Sequence, residues 1–479
     1  MLCCAVRAAN RPGTGAGGGM GTRRAQVAVV GAGLSGLAAA RVLARAGRDV
    51  VVWEARPRVG GRVWSLPTAH GVPVDAGAEF VGPTQDRIRA LVAECGLALA
   101  PTYDRGHHLY QRAGRRRRYR AGGRFGPIPP DPGVAEVALL VGAVNRLARA
   151  VPAGAPWRHP RAAEFDALTA QQWLGRRAFT PGAHFLSRLS LSSALSVPAD
   201  EVSFLFWLHY VAGAGNATTP GTVQRLASTG GGAQESLVVG GAQEVAVRLA
   251  AALGDRVRLG TPVRALTQDA EGVTLAADDA ALRAERVIVA MAPALTASIA
   301  FRPTLPAARL QLAQRMPMGA VGKVVAVYPT PFWRDSGLSG QALTDGGPVD
   351  VTFDSTPPGS ARGVLTGFVS GAAMRRLDGV PADAVREACL PGLARLFGPA
   401  AGRPLEFLVQ RWDREEWSRG GPTGVAGCGT LTAFGPALHA PCDRIHWAGT
   451  ETAEYWAGYM DGAVRAGERA AREVMAALD

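Results

Sequence analysis

The sequence contains almost no lysine. Among its 479 residues, 52 are Lys or Arg, and all but one of these, Lys323, are arginine. Asparagine is equally rare, with Asn10, Asn145 and Asn216 as the full set. This imbalance indicates coding pressure that replaced Lys by Arg wherever Arg would serve. The net charge of +13 is therefore a weak argument for a nucleic-acid partner.

Cysteine is scarce, and a long apolar run is absent. The six cysteines have no metal-type spacing beyond the adjacent pair at residues 3–4, and the histidines form no triad or metal set. We therefore expect no metal and a reduced, cytoplasmic protein. A 23-residue stretch without a formal charge, residues 202–224, contains His209, Pro220 and three glycines. It is too polar to span a bilayer, so we expect no membrane anchor.

Most of the excess positive charge lies in two stretches. Residues 1–24 carry four Arg and no acid, and residues 101–125 carry eight Arg against one Asp, so the two hold 11 of the 13 charges. We interpret residues 1–24 as a flexible leader; a transit-like peptide and an upstream start before Met20 stay open. The run Arg115 to Arg118 favours a solvated hairpin or loop tip. A basic loop that binds nucleic acid or an acidic partner is the alternative.

Residues 26–54 have the pattern of a βαβ unit. A short β-branched run at 26–30 is followed by a helical pattern at 34–46 and by a second apolar strand at 50–53, which ends in Glu54. Three glycines lie between the first strand and the helix. This order of strand, glycine turn, helix, strand and acid is typical of a dinucleotide-binding unit.

Each glycine of the turn has a separate task. Gly31 allows the tight turn, Gly33 lets the backbone approach a pyrophosphate, and Gly36 packs the helix on the strand. The pyrophosphate would lie at the helix N-terminus, where unpaired N–H groups and the helix dipole favour an anion. Glu54 would accept hydrogen bonds from the ribose hydroxyls, which argues against the 2′-phosphate of NADP.

A second glycine pair, Gly60 and Gly61, follows between Arg58 and Arg62 in EARPRVGGRVWS. This run resembles the second signature of FAD enzymes of the amine oxidase superfamily. The resemblance continues through VDAGAEFVGPTQDRI (74–88), STGGGAQESLVVGG (228–241), MPMGAVGKVVAVYPTPFW (316–333) and DRIHWAGTETAEYWAGYMDGAVRAGERAAREV (443–474). With its motifs in order over residues 25–477, the chain resembles a flavin monoamine oxidase.

The resemblance implies an α/β (α+β) fold in which a Rossmann-like FAD-binding domain is interleaved with a substrate-binding domain. Residues 25–99, 239–312 and 415–477 would form the FAD-binding domain, and residues 100–238 and 313–414 the substrate-binding domain. The implied reaction oxidises an amine to an aldehyde and reduces dioxygen to hydrogen peroxide. Another oxidase of the superfamily, with a polyamine, L-amino acid, porphyrinogen or carotenoid substrate, is the alternative. The expected partners are the amine and dioxygen, without nucleic acid; a homodimer stays open.

The cofactor contacts that the resemblance implies come from three parts of the chain. They are Gly31, Gly33, Gly36, Glu54, Arg56, Gly61, Arg62, Val263, Gly449, Thr450, Glu451, Tyr459 and Met460. A helix that begins at about Gly458 would point its N-terminus at the flavin and stabilise negative charge there. Some family members bond the flavin through a cysteine, and Gly421 occupies that position here. The expected cofactor is therefore noncovalent FAD.

Lys323 lies in a strand pattern, residues 320–328, that is apolar on both faces. Burial favours the neutral form of an amine, and Arg cannot deprotonate in its place. By resemblance, Lys323 matches the lysine that holds a water against flavin N5, and Tyr459 and Trp412 complete the expected catalytic set. Methionine at this position is expected to keep or raise the stability, because an unpaired buried amine is unfavourable. A lysine without a role is the alternative.

The substrate pocket that the resemblance implies is lined by Phe80, Tyr210, Gln234, Phe368 and Tyr459. The family usually places two aromatic rings beside the amine; here Tyr459 supplies one and Pro422 occupies the other position. Small residues at the gate-like positions predict a wider or differently shaped channel; they are Ser193, Ala194, Ala227 and Val351. Ordinary core packing is the alternative role for Phe80, Tyr210 and Phe368.

Overall fold

The computed structural model describes residues 23–122 and 127–479. The expected leader at 1–24 lies outside the described residues as far as residue 22, and so does Arg124 of the basic stretch. The first strand begins at Arg23, three residues before the β-branched run. No helix of the described residues is both long enough and apolar enough to cross a membrane.

The strands, in chain order, are β1 (Arg23–Val30), β2 (Val50–Trp53), β3 (Ser65–Leu66), β4 (Val74–Asp75), β5 (Phe80–Val81), β6 (Leu99–Pro101), β7 (His107–Arg112), β8 (Arg115–Arg120), β9 (Ser236–Val238), β10 (Val257–Arg258), β11 (Ala265–Gln268), β12 (Val273–Ala276), β13 (Ala281–Val289), β14 (Ala300–Arg302), β15 (Val321–Tyr328), β16 (Leu338–Thr344), β17 (Val351–Asp354), β18 (Gly363–Ser370), β19 (Glu406–Arg411) and β20 (Ile445–Trp447).

The α-helices are α1 (Leu34–Arg45), α2 (Asp86–Glu94), α3 (Val134–Ala148), α4 (Ala162–Asp166), α5 (Ala170–Gly175), α6 (Pro181–Leu195), α7 (Phe204–Ala212), α8 (Val223–Ala227), α9 (Gln243–Leu253), α10 (Ala307–Gln314), α11 (Phe332–Asp335), α12 (Ala372–Arg376), α13 (Ala382–Phe397), α14 (Thr430–Phe434) and α15 (Met460–Leu478).

The larger sheet has the strand order β10-β2-β1-β13-β12-β11-β14, and β20 pairs with β13 outside this path. Its centre is parallel, since β1 runs parallel to both β2 and β13. Alternate residues of β1 face two different cores: Val27 and Val29 pack towards α1 and α15, while Ala28 and Val30 pack on the opposite face. A parallel sheet covered on both faces explains why these strands read as continuous apolar runs. The predicted βαβ unit is confirmed.

The smaller sheet has the order β19-β15-β18-β17-β16-β7-β8. Its edge is the hairpin of β7 and β8, in which the run Arg115 to Arg118 is exposed. The hairpin predicted for this run is confirmed. Charged side chains on an edge strand discourage pairing with another chain. Strand β15, predicted at 320–328, lies between β19 and β18 in this sheet and is buried along its whole length.

Helices α3 to α8 form a third layer with its own core. Helix α7 is apolar on nearly all sides and buried, and its Phe204 stacks on Trp173 of α5 at 4.5 Å between ring centroids. Helix α6 contacts β18, so this layer lies against the smaller sheet. A helix that is apolar all round is typical of a protein interior.

Helices α1 and α15 pack closely on the same face of the larger sheet. A Cβ added at Gly467 of α15 would lie 2.1 Å from the Ser35 carbonyl oxygen of α1. Within α1, a Cβ added at Gly36 would lie 1.9 Å from the carbonyl oxygen of Gly31. Both distances are far inside van der Waals contact, so glycine is required where the helices meet and where α1 leaves the turn.

Gly36→Ala should therefore lower the free energy of unfolding by about 3 kcal/mol, because its methyl group collides with backbone that cannot move away cheaply. Gly142→Ala is the matched control, since Gly142 also lies within a helix and has open space at the Cβ position. That variant should be as stable as the parent or up to about 1 kcal/mol more stable. Denaturant unfolding followed by circular dichroism measures both. Equal midpoints for the two variants would contradict the packing role of Gly36.

Candidate active site

A cavity of about 800 Å³ lies where the carboxyl ends of the central parallel strands meet. The residues that follow β1, β2, β13 and β20 all line it. Ligands of open α/β sheets bind at this edge, where the strand order reverses. The smaller sheet supplies a second wall through β15 to β18, and helices α3 and α5 to α8 supply a third. One continuous space therefore joins the dinucleotide turn to the helical layer.

The turn after β1 has the backbone that the glycine pattern predicted. Gly31 has a φ of +102°, a conformation that favours glycine, and its N–H donates to the Trp53 carbonyl at 2.7 Å. Glu54 is buried at the end of β2. Its Oε2 accepts the Ala32 N–H at 2.6 Å, and its Oε1 accepts the Arg56 N–H at 3.0 Å. The carboxylate is thereby held on the cavity wall beside the turn.

Two arginines that line the cavity are bound by carboxylates. Arg56 donates from Nη2 to Glu415 Oε2 at 3.1 Å and to Ser418 Oγ at 2.7 Å. Arg62 donates from Nη1 to Glu451 Oε1 at 2.7 Å and to the Pro422 carbonyl at 2.6 Å. Each guanidinium is thus fixed in direction and neutralised by the chain.

The N-terminus of α15 reaches the same cavity. Thr450 Oγ1 accepts the Gly458 N–H at 2.9 Å and donates to the Tyr459 carbonyl at 3.0 Å, which fixes the chain just before the helix begins at Met460. Tyr459 and Met460 both line the cavity. The positive end of the helix dipole therefore faces this space and favours negative charge in it.

The structure brings nearly all the predicted site residues to one cavity. Those that line it are Gly31, Gly33, Glu54, Arg56, Gly61, Arg62, Val263, Lys323, Trp412, Gly449, Thr450, Tyr459, Met460, Phe80, Tyr210, Gln234 and Phe368. The gate-like positions Ser193, Ala194, Ala227 and Val351 line it as well, and so does Pro422. Two predicted cofactor residues stand behind the wall: Gly36, which packs α1 on the turn, and Glu451, which holds Arg62.

Lys323 has a partner that sequence reasoning missed. Its Nζ donates to Glu79 Oε2 at 2.6 Å and to the Gly77 carbonyl at 3.0 Å, and both side chains of the ion pair are buried. The expectation of an unpaired amine is therefore wrong, because Glu79 is bound to it. The expected gain in stability on replacement of Lys323 by Met is therefore wrong as well, since that change would leave Glu79 buried without a cation.

A second carboxyl group lies close to this pair. Burial, followed by the charge of Glu79, raises the pKa of Asp75 to about 7, while Lys323 opposes the rise. Asp75 also accepts the Ala242 N–H at 3.0 Å at the start of α9. The three groups form a cluster of two acids and one base inside the protein, and we name Asp75, Glu79 and Lys323 the buried triad.

Aromatic rings surround the other side of the cavity. Tyr459 lies 6.0 Å from Tyr210 and 4.8 Å from Trp456 between ring centroids. Burial raises the pKa of Tyr459 to about 12 and raises that of Tyr210 as well, so both phenols are neutral at physiological pH. Their hydroxyl groups can therefore donate and accept hydrogen bonds without carrying charge.

Phe80, Tyr210 and Phe368 are neither purely core nor freely exposed. Phe80 and Phe368 both pack against Phe353, at 5.2 and 6.1 Å, and also line the cavity. Trp412 is anchored by a bond from Nε1 to the Ala76 carbonyl at 2.8 Å. These rings form a wall whose outer side is held by the core.

Three buried polar atoms of lining residues, Ser35 Oγ, Ser193 Oγ and Gln234 Oε1, have no hydrogen-bond partner in the protein. Gln234 is oriented by its Nε2, which donates to the Leu226 carbonyl at 3.1 Å. Buried acceptors of this kind are costly unless a ligand or water satisfies them. They fit a cavity that holds a polar ligand group.

Glu79 and Gln341 are lining residues that the sequence did not single out. Glu79 stands 244 positions from Lys323, in a loop whose spacing to the lysine carries no local signal. A buried cation requires a buried anion nearby, but this rule does not identify which acid in the sequence pairs with Lys323.

Comparison with known proteins gives a consistent result. The family of flavin containing amine oxidoreductases matches residues 34–475. A Mycobacterium tuberculosis protein named flavin-containing monoamine oxidase AofH is 42% identical over 454 residues, which are 94% of this chain and 97% of that protein. Cyclohexylamine oxidase from Brevibacterium oxydans is 36% identical with a TM-score of 0.89, covering 95% of this chain and 99% of that one. Putrescine oxidase bound to putrescine is 34% identical with a TM-score of 0.88, covering 95% and 99%.

The pairing of Lys323 with Glu79 can be tested by stability. Lys323→Met should lower the free energy of unfolding by about 3 kcal/mol or more, because it leaves a buried carboxylate without its cation. The double variant Lys323→Met with Glu79→Gln should recover most of this loss, since the unpaired charge is then removed. Denaturant midpoints of the parent, both single variants and the double variant give the coupling. A Lys323→Met protein as stable as the parent would show that the two groups are not paired.

Proposed function

The chain belongs to the flavin-containing amine oxidoreductases, and on that premise we propose how its own residues divide the work of the reaction. The protein is an FAD enzyme that catalyses the oxidative deamination of an amine. In this reaction the amine, water and dioxygen give an aldehyde, ammonia and hydrogen peroxide. One observation carries the assignment of residues: a single cavity joins the dinucleotide turn to an uncharged chamber beside Lys323.

The residues at the turn fit FAD. Gly33 would leave the backbone free to approach a pyrophosphate at the N-terminus of α1, Gly31 allows the tight turn before it, and Glu54 would accept the ribose hydroxyls. The N-terminus of α15 would favour negative charge on the ring system. Bound FAD supplies the chemistry: it accepts a hydride from the carbon beside the amine nitrogen and passes two electrons to dioxygen.

We propose that FAD is held without a covalent bond. Gly421 lines the cavity and has no side chain that could attach. The described cysteines, Cys95, Cys389, Cys428 and Cys442, are all outside the cavity lining, and Cys428 is exposed. The cofactor is then retained by hydrogen bonds, the helix termini and burial alone.

The aromatic wall orients the amine. Tyr459 presents a neutral hydroxyl group, which can accept an N–H of the substrate or donate to its lone pair. The Tyr210 hydroxyl, also neutral, donates to the Ala194 carbonyl at 3.3 Å and can still accept an N–H. Pro422 leaves the position opposite Tyr459 without a ring, so Tyr210 is the second aromatic group of this chain that supports the amine. The surrounding apolar side chains exclude water and keep the reacting carbon dry.

We propose that the substrate is a monoamine with an uncharged body. Among the described residues that line the cavity, the charged ones are Glu54, Arg56, Arg62, Glu79, Lys323 and Glu416. None of these lies on the helical wall, which is apolar apart from Ser, Gln and Tyr side chains. The second ammonium of a diamine would find no carboxylate on this wall. The three cations already have carboxylate partners, so the carboxylate of an amino acid would find no free arginine among the lining residues.

We also propose that the chain divides into the two discontinuous domains that the resemblance implies. All strands of the larger sheet belong to residues 25–99, 239–312 and 415–477 apart from the first two residues of β1, and all strands of the smaller sheet belong to 100–238 and 313–414.

We further propose a cytoplasmic protein, on the low cysteine content of the sequence. We propose that the protein forms a homodimer, which light scattering can test.

The mode of cofactor binding can be tested directly. Acid precipitation of the yellow protein should release all of the flavin into the supernatant, because Gly421 cannot form a thioether. Cys428→Ser should release the same amount, since Cys428 is exposed and outside the cavity lining. Flavin absorbance of supernatant and pellet measures the release. Colour that remains in the pellet of the parent would show a covalent bond, and its loss in Cys428→Ser would identify the residue.

The substrate class can be tested with three amines of equal chain length. Hexylamine should be oxidised with a kcat/KM about 100-fold higher than 1,6-diaminohexane, because burial of an unpaired ammonium costs several kcal/mol. 6-Aminohexanoate should be as poor a substrate as the diamine, for the same reason with opposite charge. Peroxide release measures all three. A diamine that matches hexylamine would contradict the proposed substrate, and failure of every amine would contradict amine oxidation itself.

A further inference from the structure

We propose that Glu79 is a positioning residue for Lys323. It holds the lysine as an ammonium ion, so the cavity wall carries a fixed cation that always has a proton to donate. The proposal rests on the proposed function only in assigning that proton to the reaction; the ionic state of Lys323 itself is independent of it. The sequence alone had favoured the opposite, a neutral amine.

The number of N–H groups decides what the lysine presents to the cavity. Two of them are already used, one by Glu79 Oε2 at 2.6 Å and one by the Gly77 carbonyl at 3.0 Å. A neutral amine has only these two, so it would turn a lone pair towards the cavity and could only accept a hydrogen bond there. An ammonium ion has a third N–H, which is free to donate to water or to oxygen in the cavity.

The surroundings of Nζ favour the ammonium form. The carboxylate of Glu79 and the carbonyl of Gly77 both present negative oxygen to it, and the face of the Phe368 ring lies 5.7 Å away. With side-chain exposures of 2% for Lys323 and 4% for Glu79, little water screens the pair. The cost of burying two charges is met by close geometry and by an additional hydrogen bond.

A purely structural ion pair would not explain why this residue is a lysine. The chain buries other cations as arginine; Arg309, for example, is 2% exposed and donates to the carbonyls of Ala437 and Leu438. Arginine spreads its charge over a planar fork, whereas an ammonium ion concentrates charge on one atom with three diverging donors. The geometry at position 323, with two protein acceptors and one direction open to the cavity, is suited to the second kind of group.

The location of Glu79 explains how the pair stays in place. Glu79 follows β4 and directly precedes Phe80, whose strand β5 pairs with β9. The backbone on both sides of the acid is therefore fixed. Asp75 is the remaining titratable member of the buried triad, and its own negative charge, where present, adds to the field that holds the ammonium ion.

The single lysine makes the proposal directly measurable. Protein grown with lysine labelled at Cε and Nζ gives one side-chain NMR signal, which comes from Lys323. In the parent holoenzyme this signal should be that of an ammonium ion from neutral to mildly alkaline pH. In Glu79→Gln the neutral amine should appear at a lower pH than in the parent, because the carboxylate that favoured the charged form is gone. Glu79→Asp, which keeps a carboxylate, should remain closer to the parent.

Glu468→Gln is the matched control. Glu468 is also buried and paired, with Arg87 Nη2 at 2.6 Å, but it lies on α15 outside the cavity lining. In Glu468→Gln, the NMR signal of Lys323 should coincide with that of the parent. Reoxidation of the reduced enzyme by dioxygen, followed by flavin absorbance, is the second readout. The rate should be independent of pH over this range in the parent and in Glu468→Gln, and should fall with rising pH in Glu79→Gln as the lysine loses its proton.

The outcomes separate cleanly. A neutral amine signal in the parent at neutral pH would overturn the proposal, and so would a Glu79→Gln signal that titrates like the parent. If Glu79→Gln does not fold, the spectra of the parent and of Glu79→Asp still test the proposal. A neutral amine signal in the parent would refute the proposal, and ammonium signals in both proteins would support it. The NMR signal requires no turnover, so a protein inactive on every amine could still confirm the ion pair, and a failed ion pair would leave amine oxidation in place.

Discussion

The cavity depends on one constraint: a cation taken out of water must meet an anion of the same chain. The three cations that line the cavity obey it, since Arg56 is bound by Glu415, Arg62 by Glu451 and Lys323 by Glu79. Each pair joins segments that are hundreds of positions apart in sequence. The ion pairs therefore join the cavity walls to one another and leave none of these three cations without a carboxylate partner.

The same pairs separate two kinds of chemistry within one space. Near the ends of the parallel strands, the backbone turns, Glu54 and two helix termini provide the polar groups that a dinucleotide requires. Towards helices α3 to α8, the wall is apolar and aromatic. Lys323 and Tyr459 stand where these regions meet, one on the smaller sheet and one at the start of α15. An amine and the flavin can thus be brought together without either crossing the region suited to the other.

Local patterns in the sequence predicted local structure well. The βαβ unit at 26–54, strand β15, the arginine hairpin and the terminal helix were all visible, because periodicity and glycine spacing reflect backbone geometry over a few residues. The substrate and cofactor residues were placed by family resemblance, and their roles stay predictions. What the sequence could not provide was the partner of Lys323. Such a pairing is set by how β15 crosses the loop after β4, and no spacing along the chain encodes it. Glu451 was predicted as a cofactor contact, but its pairing with Arg62 was not predicted.

The burial of the only lysine also bears on the durability of the enzyme. Its product is an aldehyde, and aldehydes condense with neutral primary amines to form imines. An ordinary protein surface offers many lysines for this damage. Here the surface carries arginine, and the one ε-amine is enclosed and bound to Glu79. The aldehyde product therefore meets no lysine ε-amine on the surface of the catalyst, and the one ε-amine, which faces the cavity, is bound to Glu79.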